Sequence, residues 1–209
     1  YSSIKLKSHP NIAILVDLYF DKSNILNLVY DYYPIRLDEF IRSNNCFKRS
    51  ELFISFASQL LSAVHYIHLN DIIHTDIKPE NICFSNGIIK IIDFGLSKVI
   101  DYSQNKLSGI VGTPNFISLN VLNLNSSKIE DDLESLAYIF IYIISDDKIF
   151  QKYCDESNID KKNIDVIKKY IQSEYLNDIL EKHITICRDV NNNTNNNAYI
   201  YNNLIELYN

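Results

Sequence analysis

The chain contains no methionine and no tryptophan, and only four residues each of glycine, proline and cysteine among 209. Each scarcity excludes something. The cysteines Cys46, Cys83, Cys154 and Cys187 lie far apart with no C-x-x-C pair, so neither a zinc site nor a disulfide framework is indicated. A reducing, intracellular compartment, cytoplasmic or nuclear, is the expected location. Basic residues are also in deficit: 20 Lys and Arg stand against 26 Asp and Glu, giving a net charge of -6. With a pI near 5.3 this argues against nucleic acid as the main partner, since backbone binding rests on clustered cations. Long apolar runs are missing too. The longest, Leu136 to Ile144, is too short to cross a bilayer, so no membrane span is expected, and no secretory signal precedes the first patterned segment. With no initiating methionine and Tyr1 opening directly onto patterned sequence, a missing upstream segment is expected. The abundance of Ile, Asn, Lys and Tyr reads as base-composition bias.

What remains is enough for a folded domain. At this length a chain buries roughly 70% of its unfolded surface and needs no covalent staple. The stretch His74 to Asn81, HTDIKPEN, packs an acid, a base and an amide into eight residues. A second acid follows in Asp93-Phe94-Gly95. Apolar segments Ile82 to Phe84 and Ile88 to Ile92 flank Asn86-Gly87, a hairpin turn signature that brings the two polar clusters face to face. Asp76, Lys78, Asn81 and Asp93 then share one cleft, an inventory suited to nucleotide phosphates, their metal and a hydroxyl nucleophile.

Upstream, Ile12 to Phe20 and Ile25 to Tyr33 predict a hairpin turning at Asp21 to Asn24, with Pro10 stopping a helix that ends over Ser3 to Lys7. Two strands alone are marginal, which implies further strands. Leu37 to Arg42 predicts a short helix. Ser50 to Leu69, with Ser50 as N-cap, is the clearest helix of the first half, its apolar residues recurring at three- and four-residue steps. Leu96 to Asn125 reads as irregular. Ile129 to Ile144 predicts a central core helix behind an acidic first turn. Further helices are expected over Asn163 to Gln172, Ser173 to Cys187 and Ala198 to Tyr208, with the polar run Asn191 to Asn197 as a mobile loop. Acids at helix starts are common for dipole reasons, which is the alternative explanation of Asp132.

In motif order and spacing, His74 to Asn81 followed by Asp93-Phe94-Gly95 resembles the eukaryotic protein kinases. Within them the chain is similar to the casein kinase 1 family. Gly112-Thr113 stands at the G-T of the activation segment, Ser118-Leu119-Asn120 is close to that family's S-I-N, and Asp131 to Leu136 repeats its D-D-L-E-S-L. Cys187-Arg188 to Leu204 resembles its final helix region. The resemblance implies an α+β, protein-kinase-like fold: a partial N-lobe of two strands and a helix end with the hinge over residues 1–33, and a mainly helical C-lobe over 34–209. It implies a Ser/Thr protein kinase that moves the γ-phosphate of ATP to a protein hydroxyl with Mg²⁺, acting as a monomer. Asp76 would orient and deprotonate the substrate hydroxyl and Lys78 would neutralise the phosphoryl group. Asn81 and Asp93 would hold Mg²⁺. Asp31 and Tyr33 would meet the adenine, with Tyr30 as gatekeeper. Asp132 would brace the catalytic loop, and His74 and Phe94 would stack beneath Ile4 and Leu15. Gly112-Thr113 would line the substrate loop.

Three departures qualify this. The 209 residues hold no glycine-rich loop and no strand lysine of the family type. Thr75 replaces the usual Arg of H-R-D, so the cation that would pair with a phosphorylated activation segment is absent. Asn120 replaces the Glu that ordinarily pairs with an Arg matching Arg188. The alternatives to an enzyme of this class are a truncated or degenerate pseudokinase serving as an interaction module, and a small-molecule phosphotransferase of related fold.

Overall fold

A computed structural model describes residue 6, residues 9–43, 50–100, 111–145, 173–189 and 197–208, and single positions 163, 165, 168, 169 and 171. The elements run β1 (Leu15–Phe20), β2 (Leu26–Tyr30), β3 (Ile35–Arg36), α1 (Leu37–Ser43), α2 (Ser50–Leu69), β4 (Ile72–Ile73), β5 (Ile82–Ser85), β6 (Ile88–Ile91) and β7 (Lys98–Val99). After them come the helices α3 (Leu119–Leu122), α4 (Ile129–Ile144), α5 (Glu174–Asp189) and α6 (Asn197–Leu207). The architecture is mixed helix and strand with helix dominant, as expected.

The hairpin β1–β2 pairs antiparallel from Leu15↔Tyr30 to Phe20↔Leu26, with a bulge between Leu15 and Asp17. It is shorter at both ends than the sequence pattern predicts. At the front, residues 11 to 13 turn to β6 instead: Ile12 bridges Ile91 in parallel, and Ala13 N–H donates to the Ile91 carbonyl at 2.9 Å. At the back, Tyr32 and Tyr33 leave the ladder ahead of Pro34, which has no N–H to give. A second small sheet, β3-β5-β6, carries the expected hairpin. Its turn has positive φ at both Asn86 (51°) and Gly87 (81°), the pairing a two-residue loop needs to match strand twist.

The core lies among the helices. α2 buries Phe53, Phe56, Leu60, Val64 and Ile67 on one stripe, and α4 is buried almost all round. Over Leu52–Leu69, α2 is long and apolar enough to cross a membrane by length and composition, yet half of it is buried inside this body, as a core helix is. α5 packs on α4 through Ile179, Leu180, His183, Ile184 and Cys187, spaced three and four apart. Ser173 caps α5 by accepting Leu176 N–H at 3.3 Å. α6 closes the layer with Ile200, Tyr201 and Leu204. Among its described residues, the irregular stretch after Leu96 contains two short elements, β7 paired to β4 and the one-turn α3. The expected helix end at Ser3 to Lys7, the Ser50 N-cap side chain, most of Asn163 to Gln172 and the Asn run at 191–196 lie outside the described residues.

Candidate active site

Of the four carboxylates in the first two turns of α4, Glu130 is half-buried, whereas Asp131, Asp132 and Glu134 are buried and hydrogen-bonded. Asp132, 2% exposed, accepts the backbone N–H groups of His74 at 2.7 Å and Thr75 at 2.9 Å, and contacts His68 Nε2 at 2.9 Å. The dipole explanation of this residue fails on those contacts. Thr75 sits at φ 69°, a region that β-branched residues rarely enter. Two anchors hold it there: its N–H on Asp132 and its Oγ1 donating to the Leu96 carbonyl at 2.8 Å. This strained residue directly precedes Asp76, so its backbone sets the direction in which Asp76 leaves the loop.

Asp76 is the hub of the loop. Lys78 Nζ lies 2.8 Å from its Oδ2, Thr113 Oγ1 donates to its Oδ1 at 2.9 Å, and Asn81 Nδ2 donates to its carbonyl at 3.0 Å and to Oδ2 at 3.1 Å. Lys78 also reaches Thr113 Oγ1 at 2.9 Å, closing a ring of three side chains. The segment bearing Thr113 approaches because Gly112 has no side chain. A Cβ there would sit 2.6 Å from the Thr75 carbonyl oxygen, and its φ of +107° suits glycine alone. Burial pushes the Asp76 carboxyl up, but the hydrogen bonds from Lys78 and Thr113 and the Lys78 charge outweigh it and hold the group below its ordinary value.

Asp93 faces the same region from the end of the β5–β6 hairpin. Ile92, just before it, donates its N–H to the Asn81 carbonyl at 2.9 Å and accepts at its own carbonyl from the side of His74 Nε2 at 3.2 Å. Asp93 has φ 59°, is exposed, and accepts Gly95 N–H on Oδ1 at 3.0 Å. It lines a cleft of about 770 Å³ together with Tyr30, Asp31, Tyr33, Cys83 and Phe94. His74 and Phe94 are in contact as expected, with ring centroids 4.9 Å apart and the planes tilted by 54°. Burial pushes the His74 imidazole down, against the opposing pull of Asp132. Leu15 is only half-buried and Ile4 lies outside the described residues, so the upper half of that stack is not seen.

Asp76, Lys78 and Asn81 thus form one bonded cluster, and Tyr30, Asp31, Tyr33 and Asp93 line one cleft. Their donor chemistry fits Mg²⁺. Among the described residues no three His, Cys, Asp or Glu converge as a cage, and Mg²⁺ requires only one or two protein oxygens beside water and phosphate. Asn81 spends its amide N–H groups on Asp76, which leaves Oδ1 available to a cation, and Asp93 keeps one carboxylate oxygen uncommitted.

Two contacts were not legible in the sequence. Arg188 has a buried acid after all: Glu134 Oε1 lies 2.9 Å from its Nη2, with the Tyr138 hydroxyl at 3.0 Å, while Asn120 binds Asp131 at 3.0 Å instead. The acid missing at Asn120 is supplied from α4. The Thr113 bridge was equally hidden, because it spans 37 residues and carries no local signal.

A family model described as "Protein kinase domain" matches residues 2–200. Among curated proteins, death-associated protein kinase 2 of Mus musculus is 31% identical over 142 residues, 66% of this chain and 38% of that protein. Smooth muscle myosin light chain kinase of Gallus gallus is 32% identical over 140 residues, covering 66% of this chain and 7% of its own. Cyclin-dependent kinase 2 of Caenorhabditis elegans is 34% identical over 166 residues, 77% of this chain and 45% of that one. The chain spans less than half the length of each of these relatives.

Proposed function

The chain belongs to the protein kinase family, and from that premise we propose that the polypeptide carrying it is a Ser/Thr protein kinase. The observation that carries the reading is the ring of Asp76, Lys78 and Thr113, opening beside Asn81 and Asp93. A phosphoryl-transfer transition state is loose and rich in charge, so catalysis there is positioning and electrostatic stabilisation. Asp76, kept ionised by its neighbours, orients a Ser or Thr hydroxyl and takes its proton as the oxygen–phosphorus bond forms and the bond from the γ-phosphorus to the bridging oxygen of ADP breaks. Lys78 offsets the negative charge of the moving group. The cleft bounded by Tyr30, Asp31 and Tyr33 takes the adenine of ATP. Mg²⁺, when bound through Asn81 and Asp93, supplies the charge neutralisation on the phosphates.

The finer reading is a casein kinase 1-like member. Its support is that the two segments carrying that likeness are bonded to one another: Ser118 Oγ to Asp131 at 2.6 Å, Leu119 N–H to Glu134 at 3.1 Å, and Asn120 to Asp131. The same reading takes residues 1–33 as part of a smaller lobe and hinge, residues 34–209 as the large lobe, a monomer as the working form, and an intracellular location, cytoplasmic or nuclear.

The test is phosphoamino acid analysis of a generic protein acceptor after incubation with labelled Mg-ATP and the natural polypeptide. Phosphoserine and phosphothreonine are expected, and both should vanish in Asp93→Asn. A folded polypeptide that transfers no label would instead favour the interaction-module alternative.

A further inference from the structure

A buried chain of hydrogen bonds leads from the last helix to the loop that carries Asp76. The Tyr201 hydroxyl on α6 lies 2.5 Å from His68 Nδ1 on α2, and His68 Nε2 lies 2.9 Å from Asp132 Oδ2 on α4. Asp132 in turn holds the His74 and Thr75 amides. Tyr201 is 1% exposed and His68 4%. Their order fixes the donors. Facing a carboxylate oxygen that already accepts the His74 amide, Nε2 must donate. In the neutral imidazole, with Nε2 committed, Nδ1 is the nitrogen left to accept, and the tyrosine hydroxyl is its donor. The Tyr201 ring is itself fixed by stacking on His65, with centroids 3.9 Å apart.

We propose that Tyr201 is a positioning residue for the Asp76 loop, acting through His68 and Asp132. Its hydroxyl selects the His68 tautomer that points a proton at Asp132, and Asp132 then keeps Thr75 in the strained conformation that aims Asp76. Removing the hydroxyl strips a buried nitrogen of its donor and frees the imidazole to seek another partner, loosening the anchor under the loop. The catalytic consequence rests on the kinase reading; the structural coupling does not.

The molecule provides its own control. Tyr208, seven residues on, makes the same kind of bond: its hydroxyl lies 2.8 Å from His183 Nδ1, and His183 Nε2 lies 2.9 Å from the Leu133 carbonyl. That pair is as deeply buried but does not contact the Asp76 loop. Tyr201→Phe and Tyr208→Phe therefore delete equivalent bonds with different reach. Amide hydrogen exchange is measured in both, with each variant's global stability taken from urea unfolding.

In Tyr201→Phe the His74 and Thr75 amides should exchange roughly tenfold faster or more beyond the global change, the scale of one lost buried hydrogen bond. In Tyr208→Phe they should follow global stability alone. Equal behaviour of the two variants overturns the proposal. Nitrogen-15 spectra of the parent give a check that needs no variant: a proton on His68 Nε2 and none on Nδ1 is expected, and a protonated Nδ1 overturns it. In the natural polypeptide, Tyr201→Phe should lower kcat with KM for ATP unchanged. If the parent transfers no phosphoryl group the kinase reading fails, while the exchange experiment still decides the role of Tyr201.

Discussion

The hairpin β1–β2 and the helix α4 are both rich in large apolar residues, and they have opposite fates. Val16, Phe20 and Ile25 on the hairpin are each about 60% exposed, whereas Leu133, Leu136, Phe140 and Ile141 on α4 are fully buried. Residue type does not separate them; partners do. α4 is packed by α2 and α5, while among the described residues β1 and β2 form a sheet only with each other. A hairpin of that kind is marginal in water. The hairpin nevertheless ends at Tyr30 and Asp31, on the rim of the cleft, so one wall of the proposed nucleotide site hangs from the least supported element.

This contrast sets an order of expected effects. The largest belongs to the body: Phe140→Ala removes a ring packed against Phe53, His183 and Tyr208 and should cost about 3–5 kcal/mol in urea unfolding. A cost under about 1 kcal/mol would mean that the helices are not the core.

The next concerns two buried groups that pull the pH dependence in opposite directions. Burial pushes His183 down to about 4, so below its unfolded value of 6.5 the unfolded chain binds the extra proton, and stability falls as pH drops from 6.5 to 4. Burial pushes Asp131 up to about 6 against the hydrogen bonds from Ser118, Lys128 and Asn120. Between 3.8 and 6 the folded chain therefore holds the extra proton, and stability falls as pH rises. Each contribution is roughly 3 kcal/mol, so they nearly cancel across this window. His183→Asn should unmask Asp131, giving a protein whose urea midpoint declines as pH rises from 4 to 6; a midpoint that still climbs would refute the Asp131 assignment.

Smaller effects are expected on the hairpin. Phe20→Ser should change stability by less than about 0.5 kcal/mol while visibly reducing binding of a hydrophobic dye, since it removes exposed apolar surface and no packing. A loss of stability comparable to that of Phe140→Ala would erase the distinction between the two regions. Smallest of all, Mg-ATP at its millimolar physiological level should stabilise the 209 residues by no more than about 0.4 kcal/mol. They contain no glycine-rich loop to clamp the phosphates, and a larger thermal shift would show that the cleft suffices unaided.

Local chemistry made much of this legible in the sequence. The Asn86-Gly87 turn, the periodicity of α2 and α4 and the tight spacing of Asp76, Lys78 and Asn81 each depend on neighbours within a few residues, and each appears where expected. What escaped depends on distance. Nothing near Glu134 announces that it pairs with Arg188, nothing near Thr113 announces its bonds to Asp76 and Lys78, and the burial of Asp131 and Asp132 is decided by which helices pack over them. The shortened strand at Leu15 follows the same rule, because residues 11 to 13 chose a partner some 78 positions away, where Asn11 Nδ2 donates to the Ile89 carbonyl. Sequence pattern announces an element; the tertiary partner sets its limits.

The central claim is that the Asp76 cluster performs phosphoryl transfer, and the most direct measurement is the transfer of label from γ-labelled Mg-ATP by the natural polypeptide and by its Asp76→Asn variant. Asparagine keeps the size of the side chain, and circular dichroism should report an unchanged fold. Turnover in the variant should fall by a factor of about 10² or more, the range expected when a positioned base is removed. Undiminished transfer by a correctly folded Asp76→Asn protein would contradict the account.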